Sequence, residues 1–156
     1  LLLHLTWFEF FARVIPEEFF TLLLVYALSK QKVDVKRYIL SSLLYAVLVF
    51  AIRELPISYG IHTIINVIVL IGISYFINKI NLTVSIRSSI ITLILLYVCE
   101  LINMLFIQYI LHLDLTKMYT DVYVKTLYSL PSLISLAIIT IFLYYLLVIR
   151  KREKNV

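Results

Sequence analysis

The chain has 156 residues, 63% of them hydrophobic, with two glycines, three prolines and a net charge of +5. A domain of this size cannot hide so large an apolar fraction in one core, which excludes an ordinary water-soluble globule and leaves lipid as the solvent that fits. The single cysteine, Cys99, excludes an internal disulfide and a cysteine-based zinc site, and the three histidines are too far apart in sequence for a local metal motif.

A membrane-spanning helix needs about 20 mostly apolar residues. Five such runs follow in chain order, at approximately 8–28, 38–55, 59–77, 87–110 and 127–149. None of them alternates polar and apolar residues as the strands of a membrane barrel do. The expectation is an all-α integral membrane protein, a single transmembrane helical domain over residues 1–156 with about five transmembrane helices in one bundle. Pro16 interrupts the first run and predicts a kink there. The stretch from Pro16 to Ser29 is too short to span alone, so the helix is expected to begin before Pro16.

The connections carry a charge bias. Lys30, Lys32, Lys36, Arg37, Lys79, Arg87, Arg150, Lys151, Arg152 and Lys154 fall on one side of an alternating five-helix chain, ten of the fourteen basic residues. Arg13, Arg53, Lys117 and Lys125 fall on the other side, mixed with Glu17, Glu18, Glu54, Asp114 and Asp121. Cytoplasmic loops collect lysine and arginine. The reading is a multi-pass protein of the cell membrane, with its N-terminus outside and its C-terminus cytoplasmic. The positive charge is thereby assigned to topology, and no nucleic-acid partner is expected. Trp7, Tyr38, Tyr59, Tyr119, Tyr123 and Tyr128 sit at expected helix ends, where amphipathic rings favour the interface.

Ionisable residues at membrane depth cost roughly 2.5–3.5 kcal/mol each on insertion scales and point to a role. Glu100 is near the middle of the fourth run, with Asn103 one turn on. It reads as a proton-sensitive or ligand-binding carboxylate, or as a neutral acid tying two helices together. At the second hairpin, Arg53 and Glu54 precede Pro56, and His62 and Asn66 share a helical face after it. This corner reads as an outward-facing ligand or pH site, or as charges resting among headgroups. Glu9, Arg13 and Glu17 recur at spacings of four and can neutralise one another along one stripe. Ser129, Ser132 and Ser135 form a small-residue stripe suited to close helix packing. No phosphate loop, zinc-protease helix or nucleophile beside a histidine is present, so no enzymatic role and no cofactor is expected.

The stretch Arg53-Glu54-Leu55-Pro56-Ile57, followed by Tyr59-Gly60-Ile61-His62-Thr63, resembles part of a known family. It is similar to the membrane-embedded N-terminal region of Gram-positive GHKL-type (AgrC-like) sensor histidine kinases. That region has a similar R-x-L-P turn followed by G-I-H, and a glutamate in a later helix that Glu100 matches. No phosphoacceptor-histidine helix or ATP-binding domain lies within these residues, so kinase activity is not carried over. The resemblance implies a bacterial two-component signal-transduction module that binds a ligand or partner and signals through its last helix. Its ligand-binding set is expected to be Arg53, Glu54, His62 and Asn66, with Glu100 and Asn103 below. A homo-oligomer or a partner membrane protein is expected within the bilayer. Two other readings stay open: a small transporter, or solute-binding transporter subunit, using Glu100; and a membrane scaffold.

Overall fold

The computed structural model describes residues 6–110, 112 and 121–153, apart from the side chains of residues 59, 152 and 153. Asp114, Lys117, Tyr119 and Lys154, which entered the charge and aromatic readings, lie outside the described residues. Every regular element among the described residues is helical.

Helix α1 (7–28) joins Trp7–Glu9, a π-helical turn Phe10–Val14, and Ile15–Leu28. A reciprocal cap opens it. Thr6 Oγ1 accepts from the Glu9 amide at 3.4 Å, and the Glu9 carboxylate accepts from the Thr6 amide at 3.0 Å, so two otherwise orphaned amides are satisfied. Pro16 has no N–H to offer the carbonyl four residues back. The π turn just ahead of it lets the Ile15 amide donate to the Phe10 carbonyl, five residues back. The ladder thereby widens by one residue, and the helix runs through Pro16 without a break.

The remaining helices are α2 (Val35–Arg53), α3 (Tyr59–Phe76), α4 (Leu82–Tyr109) and α5 (122–153). Helix α5 comprises Val122–Tyr144, a second π turn Tyr145–Ile149, and Arg150–Glu153. Three of these helices start about one turn ahead of the apolar runs, because helical geometry continues through polar first turns such as Lys36-Arg37 that hydropathy does not mark. Val35–Arg53, Leu82–Tyr109 and Val122–Ile149 are long and apolar enough to cross a membrane, and Gly60–Phe76 is apolar but shorter.

Helix α1 packs on α2, α4 and α5, while α2 packs on α3, α3 on α4 and α4 on α5. The first helix therefore sits within an arc made by the other four. It is also the most enclosed: Val14, Leu22, Leu24, Val25, Tyr26 and Ala27 are buried, and so are Glu9, Glu17, Glu18 and Thr21. Small hydroxyl residues fill much of the remaining interior, among them Ser41, Ser42, Ser88, Ser89, Thr92 and Thr140. Large apolar side chains such as Leu40, Val47, Ile68, Ile94, Ile102 and Ile138 face outward. Water would not tolerate so extended an apolar surface, whereas lipid does. This arrangement suggests a membrane protein.

Cross-links between helices define two ends. At one end the Tyr26 hydroxyl donates to Asn78 Oδ1 at 2.9 Å, Ser29 and Ser88 hydroxyls meet at 3.2 Å, and the Val33 amide donates to the Tyr144 hydroxyl at 3.4 Å. The turns after α1 and α3 close here on Lys30 and Lys79, both with left-handed backbone (φ 56° and 57°). Glycine is the usual residue in that conformation, and a lysine there carries a strain of order 1 kcal/mol. The described basic residues of the connections, Lys30, Lys32, Lys36, Arg37, Lys79, Arg87, Arg150 and Lys151, belong to this end. Glu9, Arg53, Glu54 and Lys125 belong to the other.

Tyr26 and Asn78 are both buried, and the Asn78 amide nitrogen already lacks a partner. Removing the hydroxyl leaves the Asn78 side chain with no partner at all. Tyr26→Phe is expected to lower stability by about 1 kcal/mol, read as an earlier unfolding midpoint in detergent micelles. A midpoint equal to wild type would show that this bond contributes nothing.

Candidate functional site

Arg13 lies on the π turn of α1 and reaches two acids at once. Its Nη2 donates to Glu100 Oε1 on α4 at 2.6 Å, and its Nε lies 3.4 Å from Glu17 Oε2, one turn along α1. The short contact is a charge-assisted bond, the stronger kind. Its partners are 87 residues apart in sequence. A second pair crosses to α5, where Lys125 Nζ lies 2.9 Å from Glu9 Oε1. The Glu9 carboxylate thus caps α1 with one oxygen and binds α5 with the other. The stripe Glu9, Arg13, Glu17 does not simply neutralise itself. It pins α1 to α4 and α5, two of the three helices it packs on.

Glu18 adds a further buried acid. It is 4% exposed, and Arg53 on α2 lies close enough to act electrostatically on both Glu18 and Glu100. Four carboxylates, Glu9, Glu17, Glu18 and Glu100, therefore share this part of the bundle with three cations, Arg13, Arg53 and Lys125. A small cleft opens in the network. It is lined by Arg13 and Glu17 from α1, Leu96 and Glu100 from α4, and Ser132, Leu133 and Leu136 from α5. It has space for about one water molecule.

The residues expected to bind a ligand are distributed as follows. Glu100 lies within the network, held by Arg13. Arg53 is half-buried at the end of α2 and faces the same acids through space, while Glu54 is exposed. His62 and Asn66 are on α3, where His62 Nδ1 and Asn66 Oδ1 are buried without a hydrogen-bond partner. The Tyr45 hydroxyl donates to the Asn66 backbone carbonyl at 3.5 Å. Asn103 is engaged elsewhere, its Nδ2 donating to the Tyr128 carbonyl of α5 at 2.8 Å. The structure thus brings Glu100 and Arg53 toward α1, and leaves His62 and Asn66 on α3 and Asn103 against α5.

The serine stripe turns inward at its centre, where Ser132 is buried, and its hydroxyls also bond within their own helix. Ser129, Ser132 and Ser135 each donate to a carbonyl three residues back in their own helix, at 2.7, 2.7 and 2.8 Å. Pro131 removes one backbone donor from the same stretch of α5.

Sequence reasoning named Glu100 but missed Arg13, Glu17 and Glu18 as its neighbours, and had no signal at all for Lys125. The regular spacing of Glu9, Arg13 and Glu17 was the available clue. Chemically, the arrangement can hold or exchange a proton and can lock three helices together. Among the described residues no group of three or more His, Cys, Asp or Glu side chains is placed to hold a metal ion, and Cys99 is buried. Comparison with protein-family models, with curated proteins and with solved structures found no match.

Deleting Arg13 leaves Glu17 and Glu100 facing each other without their cation. Breaking a buried pair from one side costs about 3–5 kcal/mol, and the partial exposure of Glu100, 30% at its side chain, places the expected loss at the lower end. Arg13→Ala combined with Glu100→Gln should cost less than the sum of the two, with a coupling of about 1 kcal/mol or more. Additive unfolding free energies in that double-mutant cycle would show that the pair does not hold α1 to α4.

Proposed function

We propose that the chain is a membrane-embedded sensory or regulatory module, its N-terminus outside and its C-terminus cytoplasmic, that passes a change at its outer end along α5. The observation that carries this reading is the packing of α1 along α5, with links at both ends: Lys125 to Glu9 at one, and the Tyr144 hydroxyl to the Val33 amide at the other. A partner or ligand that altered the outer ion pairs would favour a different packing of α1 on α5, which is how a binding event biases a two-state bundle. Helix shifts of this kind are about 1–2 Å. The π turn Tyr145–Ile149, directly before Arg150 and Lys151, gives α5 a local slack point at the end where such a shift would emerge. The likeness of the Arg53–Thr63 stretch to AgrC-like sensor regions agrees with this role, which needs no catalytic step. The exposed apolar faces of α2 to α5 meet lipid, a second copy or a partner membrane protein.

The test reads the inner end while the outer end is perturbed. In the full chain with Cys99→Ser, spin labels at Lys32→Cys and Lys151→Cys report the distance between the first loop and the end of α5. Lys125→Ala in nanodiscs is expected to shift that distance by about 1–2 Å. An unchanged distance distribution in Lys125→Ala and in Arg13→Ala would sink the coupling.

A second reading, a small transporter, is favoured by one observation: carboxylates of α1 and α4 lie within the apolar bundle around an open cleft. Reconstituted vesicles separate the two. A sensor carries no solute or proton flux, whereas a transporter shows a flux that Glu100→Gln abolishes.

A further inference from the structure

We propose that the end of the bundle closed by the Tyr26–Asn78 bond is a binding surface for anionic phospholipid. Its cations hold the headgroup phosphates, and the apolar side chains beside them hold the acyl chains. All eight described basic residues of this end are exposed. Among the described side chains only Asp34 answers them, 3.4 Å from Arg37, and the other seven make no ion pair. Three hydrogen bonds between segments gather these cations. Asn78, which accepts from Tyr26 at 2.9 Å, precedes Lys79; Ser29 and Ser88, 3.2 Å apart, adjoin Lys30 and Arg87; and Val33, which donates to Tyr144 at 3.4 Å, follows Lys32. Arg150 and Lys151 come about two turns after Tyr144 along α5. Like charges collected in this way repel one another, and their counter-charge has to come from outside the chain.

Two of the cations are held against backbone strain. Lys30 and Lys79 have left-handed backbone, φ 56° and 57°, a conformation in which glycine is unstrained. Both side chains are exposed. What a lysine supplies at these turns, and a glycine does not, is a charge at the rim of the bundle. Backbone strain of this kind collects where a ligand is bound.

The apolar neighbours of these cations decide which anion fits. Val35 adjoins Lys36, Ile86 adjoins Arg87 and Ile149 adjoins Arg150, while Phe76 and Leu82 flank Lys79 three residues to either side. All five are exposed, Phe76 to 72%. A free phosphate or an acidic soluble protein has no use for that pairing. A phospholipid has: its phosphate meets the ammonium and guanidinium groups, and its chains lie along the apolar flanks together with the methylene stems of the basic side chains. Arginine can hold two phosphate oxygens at once. Each basic residue beside an anionic lipid surface contributes a factor of about five in affinity. The surface requires neither the sensory role proposed above nor a particular orientation of the bundle.

Native mass spectrometry of the full chain, released from detergent micelles holding equimolar phosphatidylglycerol and phosphatidylcholine, counts the lipid of each kind that stays bound. The expected result is an excess of phosphatidylglycerol above about tenfold, lowered about fivefold by each charge removed in Lys30→Gly and Lys79→Gly. Glycine fits both turns, so these variants are expected to fold. Lys32→Gln combined with Lys36→Gln removes two charges where the backbone is ordinary, and is expected to lower the excess in the same way. Equal retention of the two lipids by wild type overturns the proposal and leaves the cations to an acidic protein. An excess that survives both the glycine and the glutamine variants overturns it as well. Loss of the excess on adding millimolar inorganic phosphate, with ionic strength matched by chloride, would show a site for the free anion and overturn it as a lipid surface.

Discussion

Arg13 must find an acid before the bundle can close around it. It lies on the helix that the other four enclose, its side chain is 18% exposed, and a guanidinium cannot shed its charge at any accessible pH. The cost of taking such a group out of water is repaid only with good geometry and satisfied neighbours. Glu100 supplies the short contact and Glu17 the second one. Much else follows from this requirement. The packing of α1 against α4 depends on it, and so does the depth at which α4 carries an acid.

The same constraint bears on how α1 reaches its place. Its neighbours α2, α4 and α5 are apolar enough to cross a membrane by themselves, whereas α1 carries Glu9, Arg13, Glu17 and Glu18 within three turns. An isolated α1 would set four charges against hydrocarbon. With α4 and α5 in place, three of those charges meet partners across helices or along the stripe. The interior is built to match: Ser and Thr hydroxyls face inward and branched aliphatics face outward. Small polar residues let backbones approach, and lipid imposes no penalty on the exposed aliphatics. The stability of α1 is therefore a property of the assembled bundle rather than of its own sequence.

That division explains what was legible in the sequence. The five helical segments were readable because hydropathy is a local property, and an apolar run of spanning length has few other structures open to it. The clustering of basic connections at one end followed from counting the helices. Glu100 was conspicuous because an acid amid Val98, Cys99, Leu101 and Ile102 has no local explanation. Its partner was not legible, since nothing in a single sequence relates position 13 to position 100. Lys125 looked like an ordinary interfacial lysine, and only the packing of α1 on α5 turns it toward Glu9. The spacing of the serine stripe suits helix packing, and each hydroxyl in addition bonds within its own helix, which spacing alone does not show.

The two ends of the bundle are held by different chemistry, which gives the molecule a direction. One end is joined by neutral bonds, Tyr26 to Asn78, Ser29 to Ser88 and Val33 to Tyr144, and such bonds respond little to charge. The other end has ion pairs beside neutral bonds such as Asn103 to Tyr128, and ion pairs respond to salt and to a charged partner. Helix α5 has its ladder interrupted twice between the two ends, by Pro131 and by the π turn at Tyr145–Ile149. Interrupted ladders bend at less cost than regular ones, which makes α5 more pliant than the uninterrupted α4.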